Sequence, residues 1–187
     1  NYRKVYNDRE IRKEVSMVKY VPSILTISNF IAGISAILFA SHGYIFYAVV
    51  MILMGMLFDC FDGYSARLLN VCSPIGKELD SLADVVTFGV APMIIHFAVN
   101  GMGFWTILSM FAFSIGAIVR LARFNVAQSQ LNYFIGLPVP AAALVALLIV
   151  QILPSILCGL VIVVLGGLMV SNIHVKKLGH AKEEIEV

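Results

Sequence analysis

The chain has 187 residues, of which 60% are hydrophobic and only 13% charged, about half the charged fraction of an ordinary soluble domain. A helix needs about 20 mostly apolar residues to cross a bilayer, and residues 22–173 supply six such stretches with little left over, which excludes a large water-soluble domain. A net charge of +2 excludes the strongly basic surface of a nucleic-acid binder, and three cysteines (Cys60, Cys72, Cys158) without ligand spacing exclude a disulfide scaffold or a zinc site.

Residues 1–20 carry six Lys/Arg and three Asp/Glu and read as a cytoplasmic amphipathic segment lying at the headgroup level. Six apolar segments follow: Pro22–Ser41, Tyr44–Leu68, Glu78–Val99, Phe104–Phe124, Leu137–Leu153 and Ser155–Ile173. Gly, Pro, Ser and Asn punctuate them, at His42-Gly43, Asn70 to Gly76, Asn100 to Gly103 and Pro154. The expected fold is therefore all-α: a polytopic six-helix membrane bundle over residues 21–173, followed by a cytoplasmic tail over 174–187. Charge placement tests this topology independently, because Lys and Arg accumulate on cytoplasmic flanks. Beyond the first segment they fall at Arg67 and Lys77, at Arg120 and Arg123, and at Lys176, Lys177 and Lys182. The first-to-second, third-to-fourth and fifth-to-sixth connections carry none, which predicts a multi-pass cell-membrane protein with both termini in the cytosol. The acidic residues obey the same partition, so chemistry that needs charge belongs at the cytoplasmic end.

Five acids interrupt the apolar pattern: Asp59 and Asp62 late in the second segment, and Glu78, Asp80 and Asp84 early in the third. A carboxylate in a membrane helix must face the bundle interior, a wet cavity, a countercharge or a metal. Spacings of three and four residues put each aspartate pair on one face of its helix. The short connection makes the two helices antiparallel neighbours, so the pairs can meet at similar depth. Four converging carboxylates need protons or cations between them, and hard oxygen donors favour Mg²⁺, Mn²⁺ or Ca²⁺. Two divalent ions would balance the charge, and a two-ion oxygen site suits displacement at phosphorus. Ion pairing with Arg67 and Lys77 explains the cluster less well, since five acids outnumber two bases. Gly63, Ala66 and Gly76 leave smooth helix surfaces that a diphosphate can approach, and Arg67 offers a fork of donors to phosphate. Small residues alone would equally serve helix packing.

The run Asp59-x2-Asp62-Gly63-x2-Ala66-Arg67-x8-Gly76-x3-Asp80-x3-Asp84 resembles the signature of the CDP-alcohol phosphatidyltransferases, with all eight fixed positions present. SLADVVTFGVAP (Ser81–Pro92), RLARFN (Arg120–Asn125) and FIGLPVPAAA (Phe134–Ala143) extend the resemblance toward its phosphatidylserine synthase branch. The resemblance implies a six-helix, often dimeric membrane enzyme that moves a phosphatidyl group from a CDP-diacylglycerol-type lipid to a small alcohol and releases CMP. It also implies roles: Asp59, Asp62 and Asp80 as metal ligands, Asp84 as metal ligand and general base, and Gly63, Ala66, Arg67 and Gly76 as the nucleotide-diphosphate site.

Other polar residues carry two readings. Thr26 and Asn29 could touch the CDP-lipid or bond between helices. Arg120 and Arg123 share a helix face and could clamp the carboxylate of L-serine, or snorkel to anionic headgroups. Glu78 and Ser81 are candidates for the serine amino group, or for solvation of a helix end. His42, His96, His174 and His180 are scattered, and none is assigned a catalytic role. The expected activity is transfer to the hydroxyl of L-serine. The alternatives are glycerol phosphate or inositol phosphate as acceptor, and a divalent-cation transporter using the same carboxylates.

Overall fold

The computed structural model describes residues 20–69, 71, 73–127, 134–171 and 174–175. Apart from Tyr20, His174 and Val175, the N-terminal segment and the C-terminal tail lie outside these residues. Six helices follow in order: α1 (Val21–Ser41), α2 (Ile45–Leu68), α3 (Pro74–Asn100), α4 (Phe104–Ala127), α5 (Val139–Ile152) and α6 (Ser155–Val170). The first four are long and apolar enough to cross a membrane; α5 and α6, with 14 and 16 residues, fall short of the roughly 20 a full crossing needs. Prolines explain part of the shortness. Pro138 and Pro140 open α5 and Pro154, at the N-cap of α6, follows it, so α5 is bounded at both ends and α6 at its start.

The third helix starts at Pro74, one turn earlier than the apolar pattern suggests. Pro74 occupies its first turn, where a missing N–H costs nothing, and the Ser73 hydroxyl accepts the Gly76 N–H at 3.0 Å. This cap ends the short α2–α3 connection, and the two helices run antiparallel. Within α3 the backbone widens into a π turn over Val85–Val90, with the Ala91 N–H donating to the Val86 carbonyl five residues back. Pro92 supplies the cause: it has no N–H for the Phe88 carbonyl, and the wider turn accommodates its ring.

The arrangement is two helix pairs around a central rod. α1 packs along α2, α4 packs along α6, and α3 touches α1, α2, α4 and α5. Accordingly Ala83, Thr87, Phe88, Gly89, Ala91, Met93, Ile95 and His96 of α3 are all buried. Phe46, Phe111, Leu148 and Ile152 point outward, as expected where lipid is the solvent. Lipid provides no hydrophobic drive for helices to associate, so close contact depends on small residues. A β-carbon on Gly116 would lie 2.6 Å from the Gly166 carbonyl oxygen, and one on Gly166 would lie 2.7 Å from that of Ala112. The α4 and α6 backbones therefore touch directly. A two-residue antiparallel ladder, β1 (Phe134–Ile135) with β2 (His174–Val175), closes the α4–α5 connection against the chain leaving α6. Gly136 follows it at φ 76°, where a β-carbon would stand 3.3 Å from the Ser171 carbonyl.

Gly166→Val should separate α4 from α6 and cost about 1–3 kcal/mol through overpacking. A β-carbon added at Gly167 would meet nothing within 4 Å, so Gly167→Ala should leave stability unchanged. Thermal unfolding of both variants in detergent checks this pair of outcomes.

Candidate active site

Four helices bring polar side chains together at the end of the bundle where Arg67, Lys77 and Arg120 lie. From α2, Asp59 and Asp62 face Asp80 of α3, and one carboxylate oxygen from each of the three lies within 4.8 Å of the other two. Asp84, one turn further along α3, is buried at 7% exposure, near enough to Asp59, Asp62 and Asp80 to feel their charge. Asp80 in turn feels the charge of both Asp59 and Asp62. Oxygens this close repel unless a proton or a cation lies between them. One Asp80 oxygen, Oδ1, is buried with no hydrogen-bond partner.

Helix α1 supplies neutral donors. The Thr26 hydroxyl donates to Asp62 Oδ2 at 2.8 Å, with the Pro22 carbonyl 3.0 Å away on its other side. Asn29 donates from Nδ2 to Asp84 Oδ1 at 3.1 Å, and its own Oδ1 is buried without a partner. Both residues thus make contacts between helices, directly to the carboxylates. The Arg120 guanidinium on α4 is buried at 8% exposure near enough to Asp84 to feel its charge, and Nε has no partner. Its flat face lies 5.7 Å from the Phe124 ring centroid.

The remaining sequence candidates lie around this centre. Gly63 faces open space: a β-carbon there would meet only the Arg67 guanidinium, 3.9 Å away, and Arg67 itself is exposed in the last turn of α2. Ala66 lies between them on the same helix. Gly76 serves the Ser73 cap. Arg123 is exposed and donates to the Val170 carbonyl at 2.7 Å, clasping the end of α6. Glu78 and Ser81 converge on Asn125 of α4: Ser81 Oγ donates to Asn125 Oδ1 at 3.1 Å, and Asn125 Nδ2 donates to Glu78 Oε2 at 3.2 Å. Lys77 Nζ donates to the Asn125 carbonyl at 3.0 Å, so this lysine is directed to α4 rather than to the aspartates. Asn125 belongs to the RLARFN run, yet its sequence context assigns it no role of its own; a lone amide near a helix end carries no signal until its partners are known. The π turn is likewise absent from the hydropathy pattern, and Pro92 within an apolar helix is its one sign.

What the arrangement can do follows from its donors. Carboxylate oxygens converging at low dielectric, with an orphaned acceptor among them and neither His nor Cys, suit hard divalent cations. The open helix surface at Gly63, beside the Arg67 fork, leaves room for a phosphate-bearing ligand above them.

Comparison with known proteins agrees with this chemistry. Residues 19–173 match the CDP-alcohol phosphatidyltransferase family. A Bacillus subtilis protein named CDP-diacylglycerol–serine O-phosphatidyltransferase is 42% identical over 174 residues, covering 90% of this chain and 97% of its own. Proteins of the same name from Helicobacter pylori J99 and Methanocaldococcus jannaschii are 38% and 37% identical, over 82% and 89% of this chain and 70% and 77% of theirs. A match across most of the sequence, together with the aspartates gathered on α2 and α3, means that the chain belongs to the CDP-alcohol phosphatidyltransferase family.

Proposed function

We propose that this integral membrane enzyme transfers the phosphatidyl group of CDP-diacylglycerol, or a related CDP-lipid, to the hydroxyl of L-serine and releases CMP. The observation that carries this reading is the meeting of Asp59, Asp62 and Asp80 at the mouth of an open helix surface, in a chain whose relatives bear that activity in their names.

The aspartates of α2 and α3, Asp59, Asp62, Asp80 and Asp84, would hold two divalent cations, Mg²⁺ or Mn²⁺. Such ions, when bound, neutralise the diphosphate and the charge that builds on departing CMP. The protein's own residues do the rest. Gly63, Ala66 and Gly76 admit the diphosphate to the helix surface, and Arg67 donates to its oxygens. Arg120 takes the serine carboxylate: its guanidinium is buried, it keeps an unpartnered Nε, and it stands beside Asp84. Asp84, held by Asn29, accepts the hydroxyl proton as the serine oxygen attacks phosphorus. One P–O bond forms to serine and one breaks to CMP, whose phosphate leaves with the electron pair. Positioning and electrostatics provide most of the acceleration.

The placement of Arg67, Lys77 and Arg120 at the carboxylate end supports a cell-membrane protein with this end in the cytosol, where CMP and serine are exchanged. The family resemblance supports a homodimer.

Asp84→Asn should lower CMP release by a factor on the order of 10²–10⁴ while retaining binding of the CDP-lipid; release assays and equilibrium binding in detergent read the two separately. Chelation of divalent ions should abolish turnover, and added Mg²⁺ or Mn²⁺ should restore it. With a panel of acceptors, CMP release should require L-serine, and Arg120→Ala should raise the KM for serine far more than that for the CDP-lipid. Turnover with glycerol phosphate or inositol phosphate in place of serine would overturn the acceptor assignment.

A further inference from the structure

Thr87 lies three residues beyond Asp84, inside the π turn, and is fully buried. It sits in a notch made by two glycines on two other helices. A β-carbon on Gly33 of α1 would come within 2.9 Å of the Thr87 α-carbon, and one on Gly55 of α2 within 2.6 Å of its methyl group. The threonine therefore occupies a point of close approach between α1, α2 and α3. Its hydroxyl donates to the backbone carbonyl of Asn29 at 3.0 Å. Asn29 in turn donates from its side chain to Asp84 at 3.1 Å. Asp84 and Thr87 are thus both tied to one residue of α1, which closes a ring of contacts across the helix interface. Opposite, the Asn29 Oδ1 has no partner and would lie 2.9 Å from a Gly55 β-carbon, so the amide has little room to rotate.

We propose that Thr87 is a positioning residue for the transfer reaction: its hydroxyl fixes the backbone at Asn29, and Asn29 thereby holds the Asp84 carboxylate toward the reacting hydroxyl. This rests on the reading of Asp84 as proton acceptor. Thr87 itself touches no substrate. A purely packing role for Thr87 would depend on its methyl group and its volume; the positioning role depends on its hydroxyl. A carboxylate misplaced by about 1 Å is enough to slow a proton transfer by up to roughly a hundredfold.

The test uses the full-length enzyme in detergent, with CMP release as the rate. Thr87→Val keeps the volume and loses the donor, and should lower kcat by roughly tenfold to a hundredfold with the KM for CDP-lipid changed less than about twofold. Thr87→Ser should recover most of that loss. Thr87→Ala and Thr87→Ser both shed the methyl and differ only in the hydroxyl, so their ratio is informative even where the valine variant does not fold. In the Asn29→Ala background, Thr87→Val should cause no further loss, because the route runs through Asn29. Equal rates for the alanine and serine variants, or the same loss with and without Asn29, would overturn the proposal. Asp84→Asn, measured alongside, keeps the two claims apart: full activity there would remove Asp84 as proton acceptor and this route with it, whereas an inactive Asp84→Asn with a normal Thr87→Val would overturn the Thr87 role alone.

Discussion

Like charge held at close quarters is the constraint around which the bundle is built. Two ionised carboxylates with oxygens 4.8 Å apart repel by about 3 kcal/mol at an effective dielectric of 20, and one oxygen from each of three lies within that distance of the others here. Arg120, near enough to Asp84 to feel its charge, offsets only part of that repulsion. A proton or cation between the oxygens must offset the rest, and the neutral donors Thr26 and Asn29 stabilise what negative charge remains. The cluster's own repulsion therefore works against the fold, and the fold must be stiff enough to keep it gathered. Stiffness is supplied locally. The capped start of α3, the short α2–α3 connection, and the threonine wedged between two glycines all restrain the same few residues.

The second helix pair carries a different part of the task. The α4 and α6 backbones meet at Gly116 and Gly166, which gives α4 a firm backing, and the end of α4 is then joined to α3 through Asn125. Arg123 clasps the end of α6 from the same helix. Arg120 lies between these attachments, near enough to Asp84 to feel its charge. Glu78 and Ser81, candidates for the serine amino group, connect α3 to α4 through Asn125. Their separation from the carboxylates is thus set by α3 itself, while Asn125 sets the distance of α4.

The architecture is legible in the sequence wherever it depends on solvent and charge. Lengths of apolar runs locate six helices, the partition of Lys and Arg locates the charged end, and aspartates three and four residues apart locate the converging faces. Three features are not legible, because each depends on contacts or backbone geometry that an apolar pattern does not encode. The start of α3 is decided by a serine cap and a proline rather than by hydrophobicity. The π turn arises from the missing N–H of Pro92, whose effect on the preceding residues a hydropathy pattern does not register. The roles of Asn125 and Thr87 exist only once α3 has been placed against α4 and α1. The two short helices read as full crossings because their composition is as apolar as that of the longer ones; proline bounds α5 on both sides and sets the start of α6, whose last residue is followed by Ser171.

The two ends of α3 show how burial of polar groups separates structure from chemistry. At the far end, His96 is fully buried and satisfied: Ser109 Oγ donates to the Thr106 carbonyl, leaving its oxygen to accept from His96 Nε2 at 3.0 Å, while Nδ1 takes the Asn100 amide at 3.1 Å. Cys158 of α6 approaches the same Nδ1 at 3.5 Å, so one neutral imidazole joins three helices. Here the hydrogen-bonding capacity of His96 is consumed within the protein, as is normal for buried polar groups, although the buried Thr106 Oγ1 at the same end has no partner. Among the described residues, four buried side-chain atoms have no partner, and three of them, Asn29 Oδ1, Asp80 Oδ1 and Arg120 Nε, surround the aspartates. An unpaired polar atom at low dielectric costs about 1–3 kcal/mol, and that cost is recovered only when a ligand supplies the missing partner. Two unpartnered acceptors, one of them on Asp80 itself, and one unpartnered donor near Asp84 leave this end of the bundle able to take a positively charged group on one side and an anion on the other. In the proposed reaction a diphosphate with its divalent cations and an amino-acid carboxylate would meet both, and the free energy that the protein's own contacts leave unrealised would then be available to orient the reacting groups.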